Sequence, residues 1–174
     1  MSITPDTKNW TWVLERPCPE CGFDARTIGR DDVVPMVRAN AAQWQRILAR
    51  AGVDVRPNEE MWSPLEYGCH VRDVFRIMTG RVDLVLADSD PLFANWDQDA
   101  TALDDAYATQ DPVRVAGEIG VVGPAFADRF VGLREEQWTR PGRRSDGARF
   151  TLESLARYAL HDVLHHLVDV PHAD

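Results

Sequence analysis

Apolar residues recur at helical spacing in four stretches of the chain. Over residues 31–50, DDVVPMVRANAAQWQRILAR, Val33, Val37, Trp44, Ile47 and Leu48 fall on one face. Asp31 or Asp32 suits the start, where a carboxylate meets the positive end of the helix. Pro35 is tolerated in a first turn, and Gly52 stops the helix. The clearest start lies at residues 63–87: Ser63 is an N-cap, Pro64 takes the first helical position, and Glu66 completes an S-x-x-E capping box. Gly68 and Gly80 inside this helix lose roughly 1 kcal/mol each against Ala, which predicts close packing or a bend near them. A third helix is predicted over residues 112–136, opened by Asp111-Pro112, although Gly117, Gly120, Gly123 and Pro124 weaken its first half. A fourth begins at a Thr151 cap, runs to Val170 and ends at Pro171.

The connections differ in character. Residues 88–111 are acidic, with seven Asp, and longer than a simple turn between helices. Residues 137–150, QWTRPGRRSDGARF, are basic and turn-rich. No stretch alternates as a strand would. The pattern therefore predicts an all-α four-helix bundle over residues 30–174. Residues 1–29 form an irregular N-terminal arm carrying Trp10, Trp12 and CPECG.

Composition narrows the classes. The chain of 174 residues suits one domain, and 44% apolar with 27% charged residues is an ordinary globular balance. A net charge of −9 disfavours a phosphate backbone as partner. No apolar run approaches the ~18 residues of a membrane span. The start, MSITPDTKNWTW, lacks the pattern of a signal peptide, so a cytoplasmic location is expected. Three cysteines, an odd number, do not make a disulfide framework.

The histidines carry the most suggestive chemistry. Three of the five lie within HDVLHH, residues 161–166. On a helix His161 and His165 share a stripe one turn apart, where both could reach one metal ion. Solvated or core-packed histidines are the plainer readings. His70, on another helix, would complement such a pair in a bundle core, and three imidazoles would leave a fourth position open. Asp162 and His166 form a second pair at i, i+4, and a carboxylate with an imidazole also binds metal. At 100° per residue His166 falls in the apolar sector with Leu155, Ala159 and Val163, whereas His161 and His165 lie beside it. The latter pair is preferred, with His166 and Asp162 as supporting or alternative ligands.

Together, WSPLEYGCHVRDV (62–74) and YALHDVLHHLVDV (158–170) resemble the DinB/YfiT-like superfamily of metal-binding four-helix bundles. The resemblance spans residues 30 to 170. It implies His70, His161 and His165 as ligands of Zn²⁺ or a similar ion such as Ni²⁺. It also implies a metal-dependent transferase acting through a low-molecular-weight thiol such as mycothiol, or a hydrolase acting through water. The departure is the doubled histidine, which leaves His165 and His166 competing for one role. A non-enzymatic, metal-stabilised bundle serving as a protein-interaction module is the alternative. The expected partners are a small substrate or thiol, and a second copy of the chain in a homodimer.

Other residues invite weaker readings. CPECG is half of a zinc knuckle with no second CxxC half. It is read as a structural arm, an incomplete metal site or a redox pair. Trp96 and Asp97 in the acidic connection could line a pocket. Arg143 and Arg144, just before the fourth helix, suit a carboxylate or phosphate, or simply balance the acidic connection.

Overall fold

The computed structural model describes residues 9–170. Its elements run α1 (Arg30–Leu48), α2 (Pro64–Ala87), β1 (Leu92–Phe93), α3 (Gln98–Asp104), α4 (Pro112–Asp128), α5 (Glu135–Trp138), β2 (Pro141–Arg144), β3 (Arg149–Thr151) and α6 (Leu152–Asp169). α2, α4 and α6 start at their expected capping residues, whereas α1 has Gly29 at its N-cap and Asp32, inside the first turn, accepts from the Gly29 N–H at 2.8 Å. Ser63 Oγ accepts from the Glu66 N–H at 3.2 Å, and Glu66 Oε2 accepts from the Ser63 N–H at 2.8 Å. Arg56 pairs with the same buried carboxylate, so Glu66 is a structural anchor. Asp111 caps α4, and Thr151 exchanges hydrogen bonds with Ser154 at the start of α6.

Four long helices, α1, α2, α4 and α6, form the bundle. α1 and α2 each pack on both α4 and α6, which sets α1 and α2 across a diagonal. Trp44, Phe75, Ile119, Phe126 and Leu155 are fully buried between them. Side chains of this size contribute roughly 1.5–3 kcal/mol each when removed from water. Asn40 donates from Nδ2 to the Val163 carbonyl at 2.8 Å, tying α1 to α6.

Two of the glycines that weaken the helical pattern of α4, Gly120 and Gly123, are closely packed, whereas Gly117 has nothing within 4 Å. A Cβ at Gly123 would lie 2.6 Å from Ala41 Cβ of α1 and 3.4 Å from the Phe75 ring. At Gly80 nothing lies within 4 Å. The two positions should therefore respond to alanine with opposite sign. Gly80→Ala should stabilise the fold by about 0.5–1 kcal/mol through helix propensity. Gly123→Ala should lose about 1–3 kcal/mol to overpacking. Urea unfolding of the two variants beside the wild type measures both.

Two expectations are corrected. The third long helix ends at Asp128 rather than at 136, and the chain then passes through Gly132 at φ +70, in the left-handed region. The connections also contain strands. β2 and β3 form a hairpin with Gly142 opposite Phe150, and β1 joins β2 in parallel with Phe93 opposite Arg144. These strands are two to four residues long, and only Phe93 and Phe150 give them an apolar face, too little to show as alternation.

The acidic connection is fastened down by Tyr107, which is buried and donates to Asp73 Oδ2 at 2.5 Å. Arg72 holds the same carboxylate through two contacts of 2.9 Å and reaches Glu118 of α4 at 2.9 Å. Among the described residues no helix is long and apolar enough to cross a membrane.

Candidate functional site

α2 and α6 lie side by side, and their facing stripes create the first cluster. His70 from α2 meets Asp162 and His166 from α6, the i, i+4 pair. His70 Nε2 lies 3.0 Å from Asp162 Oδ1, and His166 Nε2 lies 3.4 Å from the same oxygen. One potential ligand atom from each of the three falls within 4.8 Å of the others. His166 Nδ1 faces Asp169 Oδ2 at 2.8 Å, a carboxylate that orients the ring from behind. His70 is fully buried, and its Nδ1 has no hydrogen-bond partner among the described residues. Trp96 stacks on its ring at 5.3 Å and 4°.

The electrostatics of this cluster suit a cation. Burial opposes protonation of His166, but hydrogen bonds to Asp162 and Asp169 outweigh it and push the imidazole up to about 9. Burial alone would raise Asp162, yet the neighbouring His70 and His166 hold its carboxyl below the usual carboxylate range. A divalent ion would take the place of the proton shared by such a set.

A second cluster lies on the adjacent stripe of α6. His161 and His165 approach Cys18 and Cys21 of the N-terminal arm, again with one ligand atom from each within 4.8 Å of the others. The arm makes a tight turn there: the Gly22 N–H donates to the Cys18 carbonyl at 2.8 Å, and Gly22 adopts φ +75. Cys18 Sγ is 3.7 Å from His165 Nδ1. The Trp10 ring packs on both imidazoles, at 5.5 and 5.2 Å. Burial pushes His161 down to about 4, with His165 adding to the effect. Burial likewise pushes the Cys21 thiol up to about 11, while the Phe23 N–H works the other way.

Two adjoining cavities, of about 240 and 380 Å³, open beside these clusters. Asp162 lines both. His161, His165 and His166 line the smaller, which Trp10 and Glu20 of the arm wall on one side. Arg81, Trp96, Asp97 and Arg144 line the larger. Arg81 is 6% exposed and makes no ion pair among the described residues; its Nη2 donates to the Ala94 carbonyl at 3.0 Å. Burial, with Arg144 nearby, lowers it to about 10.

The histidines grouped from the sequence, His70, His161 and His165, thus fall into two sets. His70 joins the pair weighed as the alternative, Asp162 and His166. His161 and His165 join CPECG, whose second half is supplied by a helix rather than by another CxxC. Of the pocket residues read from the sequence, Trp96, Asp97 and Arg144 line one cavity. Asp97 also caps α3 through Ala100, and Arg144 is held by Asp146 at 2.8 Å. Arg143 instead pairs with Asp90 of the acidic connection at 2.9 Å. Arg81 and Asp169 escaped notice in the sequence; an arginine inside an apolar helical pattern was the available signal for the former.

The sequence profile of the DinB superfamily matches residues 35–169. No curated protein matches the chain. Among solved structures, YfiT from Bacillus subtilis matches with a TM-score of 0.72, covering 82% of this chain and 86% of that one at 18% identity. That protein is described as a probable metal-dependent hydrolase with an unusual four-helix bundle topology. At this identity the likeness carries the fold.

Proposed function

The chain belongs to the DinB superfamily, and from there we propose that it is a metal-dependent hydrolase of a small anionic substrate, with the ion held by His70, Asp162 and His166. One observation carries the reading: two imidazoles and a carboxylate from facing helices converge, with Asp162 lining two adjoining cavities and His166 the smaller of them. This donor set fits Zn²⁺ or a neighbouring ion such as Ni²⁺, and three protein ligands leave a coordination place free. When bound, such an ion lowers the pKa of water, or of a small thiol, so that a nucleophile exists at neutral pH. The description of YfiT as a probable metal-dependent hydrolase supports the choice of water.

The protein's own groups supply orientation and selectivity. Asp169 fixes the His166 ring, and Trp96 covers His70 and offers an aromatic wall to the substrate. Arg81, buried and without an ion pair among the described residues, is suited to an anionic group of the substrate in the larger cavity. Arg81→Met should then lower kcat/KM for a carboxylated substrate by about 10–100-fold, the effect of losing a charge-assisted hydrogen bond of ~1.5–3 kcal/mol. The neutral analogue should change little. Folding stability should stay within about 1 kcal/mol, because a buried charge without a partner adds little to it.

The test of function is a panel of esters, amides and thioethers, each in carboxylated and neutral form, offered to the zinc-loaded and the chelated protein. The same panel is run with a low-molecular-weight thiol such as mycothiol. Hydrolysis that needs the metal and prefers the carboxylated form supports the reading. Turnover only when the thiol is present replaces hydrolysis by thiol transfer. Bound metal without turnover in either arm removes the enzymatic reading in favour of a metal-stabilised interaction module.

A further inference from the structure

We propose that Cys18, Cys21, His161 and His165 bind a second zinc ion, a closed structural site that clips the N-terminal arm onto α6. Four donors of the two types zinc favours meet here from parts of the chain more than a hundred residues apart. In a tetrahedral site with bonds of about 2.0–2.3 Å, neighbouring ligand atoms lie roughly 3.3–3.8 Å apart. The Cys18 Sγ to His165 Nδ1 distance of 3.7 Å is within that range, and the whole set lies within 4.8 Å. Only a small contraction of the set closes it on an ion.

Two further observations point to a ligand. His161 is 3% exposed, and its Nε2 is buried without a hydrogen-bond partner among the described residues. An unpaired imidazole nitrogen in the interior is unfavourable unless something binds it. His165 turns its other nitrogen, Nε2, toward Glu20 Oε2 at 3.4 Å. A carboxylate in that position fixes the tautomer and leaves the Nδ1 lone pair directed at the cysteine side, as in metal-bound histidines with a carboxylate behind them.

The site differs in kind from the centre of His70, Asp162 and His166. It has four protein ligands and no open place, so its ion organises rather than reacts. What it organises is the wall of the smaller cavity, because Trp10 and Glu20 belong to the clipped arm. Zinc occupancy therefore sets the shape of the approach to the neighbouring centre. The inference holds whether or not that centre is catalytic.

The test uses the full chain, purified under reducing conditions without a histidine tag. Native mass spectrometry should find two zinc ions per wild-type chain. Cys21→Ser should keep one, and the double variant His70→Ala, His166→Ala should keep the other. Cobalt(II) in place of zinc should give a thiolate-to-cobalt charge-transfer band in the wild type and in the His70 and His166 variant, absent from Cys21→Ser. The wild-type spectrum needs no variant, so a misfolded serine protein leaves the test intact. A cobalt-loaded wild type with no thiolate band overturns the proposal. So does alkylation of Cys18 and Cys21 at the same rate with and without zinc, or a Cys18–Cys21 disulfide that persists under reductant.

Discussion

Protein carrying His166→Ala should lose the ion bound between α2 and α6, and His70→Ala should do the same, while His161→Ala keeps it. The expectation follows from the division of the histidines. His70 and His166 both face Asp162, whereas His161 faces the arm. Disturbing a residue that merely orients a ligand weakens metal binding about 10–100-fold, so removing a ligand should weaken it by at least about 100-fold. Any activity assigned through the substrate panel should fall with it. Several kcal/mol of Lewis-acid stabilisation translates into roughly 10²–10³-fold in kcat/KM. Zinc titration against a chromophoric chelator reads the first effect, and steady-state kinetics the second. His166 is the cleaner position, because its side chain is 17% exposed and alanine there leaves less of a void than at fully buried His70. Loss of this ion in His161→Ala, with retention in His166→Ala, would move the centre to the other stripe and sink the assignment.

The contrast between these stripes also marks how far the sequence could be read. Helix starts were legible because their chemistry is local: Ser63, Pro64 and Glu66 act within one turn, as do Asp111 with Pro112 and Thr151 with Ser154. The bundle and its family followed from those starts and from the histidines. The sheet was not legible, since Phe93 and Phe150 are its only buried apolar residues and Gly142 sits close under Val85 and Phe93 for reasons of tertiary packing. The i, i+4 spacing marks two stripes on α6, shifted by one residue. Which stripe meets His70 depends on the rotation of α6 against α2, a property of packing and not of periodicity. The partners of CPECG were hidden for the same reason, because Cys18 and His165 are 147 residues apart.

Asp73→Ala should cost the fold about 3–5 kcal/mol, as much as truncating a fully buried aromatic. Asp73 is 6% exposed, and its carboxylate joins Arg72 and Arg76 of α2 to the Tyr107 hydroxyl of the acidic connection. Removing it leaves the Arg72 guanidinium, 3% exposed, with Glu118 but without its bidentate carboxylate, and the Tyr107 hydroxyl without its acceptor. Chemical unfolding should show the loss, together with a fall in Tm of roughly 10 °C at 2–4 °C per kcal/mol for a chain of this size. The pH dependence identifies the cause. Burial would raise the Asp73 pKa, but the hydrogen bonds from Arg72 and Tyr107 outweigh it and leave the carboxyl below its ordinary value. A carboxyl with a lowered folded pKa stabilises the protein above its unfolded value of ~3.9, and the contribution disappears as pH falls through the folded value. The gap between wild type and Asp73→Asn should therefore be full near neutrality and narrow progressively below about pH 4. A gap that stays constant across that range would mean that Asp73 acts through packing and not through its charge.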